Sequence, residues 1–162
     1  MIKSIAHIGL TVTDLDRSIK FYRDLLGLSY KGYMYMEGES TDKLFNGEDI
    51  RARVAYLSPK KGAGCPDVEL IEFERGEVKR DTPSLFKTSI SELCFAVEDI
   101  EEFYAYLLEK DVRVMSKPQV FDSSDYGFGK SKAIYFYDPD GNILEAIESI
   151  DWLKKCKKKS TD

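Results

Sequence analysis

Residues 6–15, A-H-I-G-L-T-V-T-D-L, return as S-E-L-C-F-A-V-E-D-I over residues 91–100. His7 matches Glu92, Val12 matches Val97, Asp14 matches Asp99 and Leu15 matches Ile100, all at an offset of 85 residues. A period this long exceeds a solenoid unit and fits a half-domain duplicated within one chain. Each copy places a polar side chain able to bind metal at the same point of a strand, and His7 is the only histidine among the 162 residues.

The elements repeat along with the residues. Residues 4–12 alternate as a strand, with His7, Gly9 and Thr11 on one face. Asp14 is an N-cap for a helix carrying Leu15, Ile19, Tyr22 and Leu26, which Gly27 ends. Strands follow at 28–36, 51–58 and 67–73, and the charged stretch 37–49 reads as a loop or short helix that closes over a pocket. Polar residues 76–89, with Pro83, read as a linker. The pattern then restarts with a strand at 91–97 and a helix capped by Asp99 and carrying Ile100, Phe103, Tyr104, Leu107 and Leu108. Strands at 112–121, 132–137 and 143–148 complete it, with a loop at 122–131 and a D-P-D-G-N turn at 138–142. The expected fold is α+β: two paired βαβββ modules, 1–75 and 90–150, forming an open cup-shaped mixed sheet with helices outside. The linker is 76–89, and 151–162 is a basic tail, read as a solvated terminus.

Composition narrows the function. A net charge of −5 speaks against a nucleic-acid binder, which needs a positive face to displace counterions. The apolar runs are too short to span a membrane, and residues 1–4 hold no signal-peptide core. Three cysteines, Cys65, Cys94 and Cys156, lie far apart without a C-x-x-C pair, so a disulfide framework or thiolate zinc site is not indicated. A cytoplasmic location and a small-molecule substrate are expected.

Glu69 in D-V-E-L-I-E-F and Glu145 in N-I-L-E-A-I-E sit within apolar runs, and the two segments match again at Glu72 and Glu148. A carboxylate among apolar neighbours is costly to bury unless it is paired, protonated or bound to a cation. Taken singly, His7 reads as a satisfied histidine and each glutamate as a strand-end ion pair. Their symmetric recurrence, two carboxylate positions per module, favours convergence at a pseudo-twofold axis, with one histidine and three carboxylates around a cation. Arg51 and Arg53 alternate on one strand and are candidates for holding a substrate carboxylate or phosphate.

The H-I-G-L-T-V strand, the R-S-I-K-F-Y-R-D-L-L-G-L helix and the D-P-D-G-N-I-L-E turn and strand together resemble the vicinal oxygen chelate superfamily, home of glyoxalase I and methylmalonyl-CoA epimerase. The resemblance covers about residues 4–149. It implies paired modules around a divalent metal, with His7, Glu69, Glu92 and Glu145 as ligands. It departs at Glu92, where glyoxalase-like and epimerase-like relatives usually carry histidine. One imidazole with three carboxylates tilts preference from zinc toward manganese, iron(II), magnesium or nickel, without singling out one of these, cobalt or zinc. The missing second histidine disfavours the extradiol dioxygenase branch and fosfomycin-resistance-like chemistry.

The resemblance further implies an isomerase or lyase acting through an enediolate on an α-hydroxycarbonyl or thioester, with Glu145 as base and Glu69 or Glu92 as reprotonating acid. The alternative is a metal-free or vestigial module that sequesters a small molecule. The two modules pair within a chain or exchange partners across a homodimer.

Overall fold

Helix starts and strand register set the frame on which every candidate residue stands. The computed structural model describes residues 2–59, 65–75 and 82–150, and the chain divides into two units, Met1–Asp81 and Thr82–Asp162. The basic tail and residues 76–81 of the expected linker lie outside the described residues.

The first unit runs β1 (His7–Thr11), α1 (Leu15–Lys20), a π-helical turn (Phe21–Leu25), β2 (Ser29–Glu37), α2 (Glu39–Phe45), β3 (Arg51–Ser58) and β4 (Asp67–Arg75). Its four strands lie in the order β1-β4-β3-β2, with β1 parallel to β4 and the other pairs antiparallel. Asp14 caps α1 by accepting from the Arg17 amide at 3.0 Å. Leu15, Ile19 and Tyr22 are buried, as are Ala55, Leu57, Val68 and Leu70, which pair across β3 and β4 as Ala55 with Leu70 and Leu57 with Val68. Each such leucine contributes roughly 1.5–3 kcal/mol through burial. The expected uniform helix widens at its end, where the Leu26 amide donates to the Phe21 carbonyl at 3.0 Å. Gly27 follows at φ 76°, a left-handed conformation that glycine adopts without strain. The charged stretch at 37–49 contains α2, whose Asp42 accepts from the Ile50 amide at 2.8 Å.

The second unit runs β5 (Leu93–Ala96), α3 (Ile100–Glu109), β6 (Gln119–Ser123), a 3₁₀ turn (Ser124–Tyr126), β7 (Gly129–Tyr137) and β8 (Ile143–Ser149). The order is β5-β8-β7-β6, again with the first and last strands parallel. Both sheets are open and mixed, and the α+β class is as expected. The strand expected at 112–121 is shorter than expected. Val114 makes only an isolated bridge to Phe136, and β6 starts after Pro118, which has no amide proton for a ladder. Asp138 holds the D-P-D-G-N turn by accepting from the amides of Asp140 and Asn142 at 2.9 and 2.8 Å.

A second correction concerns Glu72 and Glu148, expected to join a central cluster. Glu72 Oε1 accepts from the Leu15 amide at 3.3 Å, and Glu148 Oε2 accepts from the Ile100 amide at 3.1 Å. Each last strand therefore ties down the first amide of its unit's principal helix, a donor without an intrahelical partner. Glu72 stands three positions beyond Glu69 on the strand, an odd offset that turns the two side chains to opposite faces. A cation completes each tie: Arg53 reaches Glu72 at 2.8 Å and Asp16 at 3.2 Å, while Lys132, opposite Glu148 in the ladder, reaches Glu101 at 2.8 Å. Burial opposes the charge on Arg53, but hydrogen bonds to Glu72 and Asp16 outweigh it and raise its pKa.

Glu148→Ala is expected to cost about 1–3 kcal/mol, because it leaves the Ile100 amide unpaired in a half-buried setting. Urea denaturation measures this, and a midpoint equal to the parent's would place the anchoring of α3 elsewhere.

Candidate metal centre

The parallel pairing of first and last strands sets the candidate ligands side by side. In the first unit, His7 opens β1, Gly9 lies opposite Glu69 of β4, and Tyr56 of β3 lies opposite the same glutamate from the other side. Glu69 is buried, with 8% of its surface exposed, so both its oxygens need partners. The Tyr56 hydroxyl donates to Oε1 at 2.5 Å, and Oε2 lies 3.4 Å from His7 Nε2. That bond, burial and the Glu69 charge push the Tyr56 hydroxyl up to about 12, so it remains a donor at neutral pH. A Cβ on Gly9 would lie 3.2 Å from Glu69 Oε2, tighter than ordinary contact, which accounts for a glycine in mid-strand.

The neighbourhood of His7 is polar as well. Asp67, its ladder partner, is held by Lys31 at 2.7 Å and by the Ser58 hydroxyl. The hydrogen bond from Lys31, then that from Ser58, keeps the Asp67 carboxyl below its ordinary range.

In the second unit, Glu92 immediately precedes β5, and Cys94 and Tyr135 flank Glu145 in the ladder. Cys94 and Tyr135 thus occupy the places of Gly9 and Tyr56. Although Cys94 reaches solvent, burial, a hydrogen bond to Glu145 and the charges of Glu145 and Glu92 push its thiol up to about 12. Burial and the charges of Glu145, Glu92 and Cys94 likewise raise the Tyr135 hydroxyl.

The first unit therefore brings His7 and Glu69 together, and in the second Glu92 and Glu145 both bear on Cys94 and Tyr135. Among the described residues, no three His, Cys, Asp or Glu form a metal-binding group. The first pair suits a cation on its own terms. A separation of 3.4 Å is below the roughly 4.2 Å sum of one metal–nitrogen and one metal–oxygen bond, so one ion can touch both atoms.

The arginines are placed differently from the expectation. Arg53 is committed to Glu72 and Asp16 on the helix side of its sheet, which argues against a substrate role. Arg51 lies over the Tyr35 ring, 4.5 Å from its centroid, with Glu74 Oε2 3.1 Å from Nε but not aligned for a hydrogen bond. Sequence reading missed Tyr56, Tyr135 and Cys94. The signal was available: Tyr56 and Tyr135 are 79 residues apart, as are Arg53 and Lys132.

The pattern of the Glyoxalase/Bleomycin resistance protein/Dioxygenase superfamily matches residues 4–146. The chain belongs to this superfamily. Among relatives in the glyoxalase superfamily, the metallothiol transferase FosB of Staphylococcus epidermidis is 30% identical over 147 residues, which cover 90% of this chain and 83% of that protein. The 2-epi-5-epi-valiolone epimerase of an Actinomyces species is 27% identical over 148 residues, covering 89% of this chain and 78% of that protein. In fold, a glyoxalase family protein from Bacillus cereus superposes with a TM-score of 0.76 at 20% identity, over 91% of this chain and 95% of that one. No helix among the described residues is long and apolar enough to cross a membrane.

With Cys65 and Cys156 replaced by serine, Cys94 is expected to react with a disulfide reagent at pH 8 about tenfold or more slowly than an ordinary exposed thiol, since only the thiolate attacks. Glu145→Gln should accelerate the reaction by removing the adjacent negative charge. Equal rates with and without Glu145 would show that the two side chains do not interact.

Proposed function

We propose that this chain is a metal-dependent isomerase or lyase acting through an enediolate on an α-hydroxycarbonyl or thioester. Its candidate ligands in this reading are His7, Glu69, Glu92 and Glu145. The observation that carries the reading is Glu69, a buried carboxylate with one oxygen fixed by Tyr56 and the other turned to the single histidine. The same strand position recurs as Glu145, and the likeness to an epimerase within the same superfamily adds support. When bound, a divalent cation supplies Lewis acidity to the paired oxygens of the substrate.

The chain's own residues do the rest. Glu145, half-buried and hydrogen-bonded by a thiol rather than by a strong donor, takes the α-proton. Glu69 or Glu92 returns it. Arg51, like Arg53, lies on the face of β3 away from Glu69, where Glu37, Glu74 and the Tyr35 ring engage it, and this reading gives it no part in holding the substrate. Three carboxylates and one imidazole make a hard donor set, which favours manganese, iron(II), magnesium or nickel over zinc.

A second reading, metal-dependent transfer of a thiol, is favoured by the 30% likeness to a metallothiol transferase. The two readings differ in a measurable way. An isomerase or lyase exchanges the α-proton of its substrate with solvent, whereas a thiol transferase consumes a thiol and leaves that proton alone.

Elemental analysis of protein reloaded with each metal is expected to give about one divalent ion per set of four ligands. No stoichiometric binding of any of them would sink the enzyme reading. Glu145→Gln should then lower deuterium exchange at the α-carbon of a verified substrate by about 10²-fold or more, with the fold retained. Exchange at the parental rate would remove Glu145 as the base. Glu92→His should keep a metal site and shift selectivity toward nickel, cobalt or zinc; unchanged relative affinities in competitive titrations would take Glu92 out of the ligand set.

A further inference from the structure

We propose that Tyr56 is the positioning residue of the Glu69 ligand, its hydroxyl holding Oε1 so that Oε2 is presented toward His7. The proposal rests on the reading of His7 and Glu69 as metal ligands.

One side chain touches both members of the pair. The Tyr56 hydroxyl donates to Glu69 Oε1 at 2.5 Å, and its ring stands edge-on to the His7 imidazole, 5.9 Å between centroids at 67°. On the opposite side, the bare Cα of Gly9 leaves just enough room for Oε2. The carboxylate is thus held by a donor on one oxygen and admitted by a glycine at the other. Glutamate has three side-chain torsions, so a buried Glu69 without that donor would turn Oε1 toward another partner and carry Oε2 away from Nε2.

The bond is not a by-product of strand register. Tyr135 occupies the same register position beside Glu145, yet its hydroxyl makes no hydrogen bond to that glutamate among the described residues. A tyrosine that merely filled space would be replaced by phenylalanine without consequence. A partner that orients a metal-binding carboxylate would not, because such outer contacts fix both the angle and the basicity of the ligand.

The test compares the full chain with Tyr56→Phe, Glu69→Gln and the double variant. Two readouts are used: calorimetric affinity for manganese or nickel, and the imidazole ¹⁵N signals of His7 in metal-free protein. The single histidine makes those signals unambiguous. Tyr56→Phe is expected to weaken metal binding about tenfold or more, to move the His7 signals toward those of Glu69→Gln, and to add nothing in the double variant. An unchanged affinity, or unchanged His7 signals, overturns the proposal while leaving the metal reading intact. A parent that binds no metal but whose His7 signals respond to Tyr56→Phe supports the positioning of Glu69 and sinks the metal reading. Should Tyr56→Phe fail to fold, the parent decides: a slowly exchanging, downfield Tyr56 hydroxyl proton that shifts in Glu69→Gln supports the proposal, and its absence overturns it.

Discussion

A carboxylate with 8% of its surface exposed sits in the middle of a strand, and much of the first unit is arranged so that it can stay there. An isolated ionised carboxylate would not survive in that setting. Tyr56 supplies a donor, His7 supplies a nitrogen at the other oxygen, and Gly9 yields the space that a side chain would take. None of the three is a sequence neighbour of Glu69. The parallel pairing of β1 with β4 and the antiparallel pairing of β3 with β4 bring them together, so sheet topology is the precondition for the chemistry.

The two faces of each sheet do different work. One face of β4 carries Val68, Leu70 and Glu72 toward α1; the other carries Glu69. In the second unit, Glu148 serves α3 while Glu145 lies beside Cys94 and Tyr135. A spacing of three residues turns what reads as a doubled acidic motif into one glutamate that holds a helix amide and one that faces the other side of the sheet. Ionic ties at the helix starts are partly exposed, so their contribution lies less in Coulomb energy than in satisfying helix amides that have no other partner.

The duplication was plainly legible in the sequence, because a matched set of cap, apolar and polar positions at one offset arises far more readily by copying than by chance. The candidate positions His7, Glu69, Glu92 and Glu145 stand out for the same reason, and the structure sets His7 beside Glu69. Glu72 and Glu148 were seen but misplaced: recurrence marks importance without telling packing from chemistry, and only strand parity separates the faces. Arg53 was misread for a related cause, since its partner Asp16 is 37 residues away and reaches it only when α1 lies across the sheet. The strand expected at 112–121 is cut short at Pro118, whose missing amide cannot serve a ladder. Tyr56 and Tyr135 escaped because aromatic residues are common in strands, where packing alone justifies them.

The contrast between Gly9 and Cys94 bears on how such a protein can change over time. A tandem duplication begins with identical halves, and here the helix ties have kept their roles while the residues facing the two last-strand glutamates have diverged. Substitutions at those strand positions alter a carboxylate's surroundings without disturbing the contacts that hold the helices. One half is therefore free to acquire a new preference while the other preserves the old one, and neither has to refold to do so.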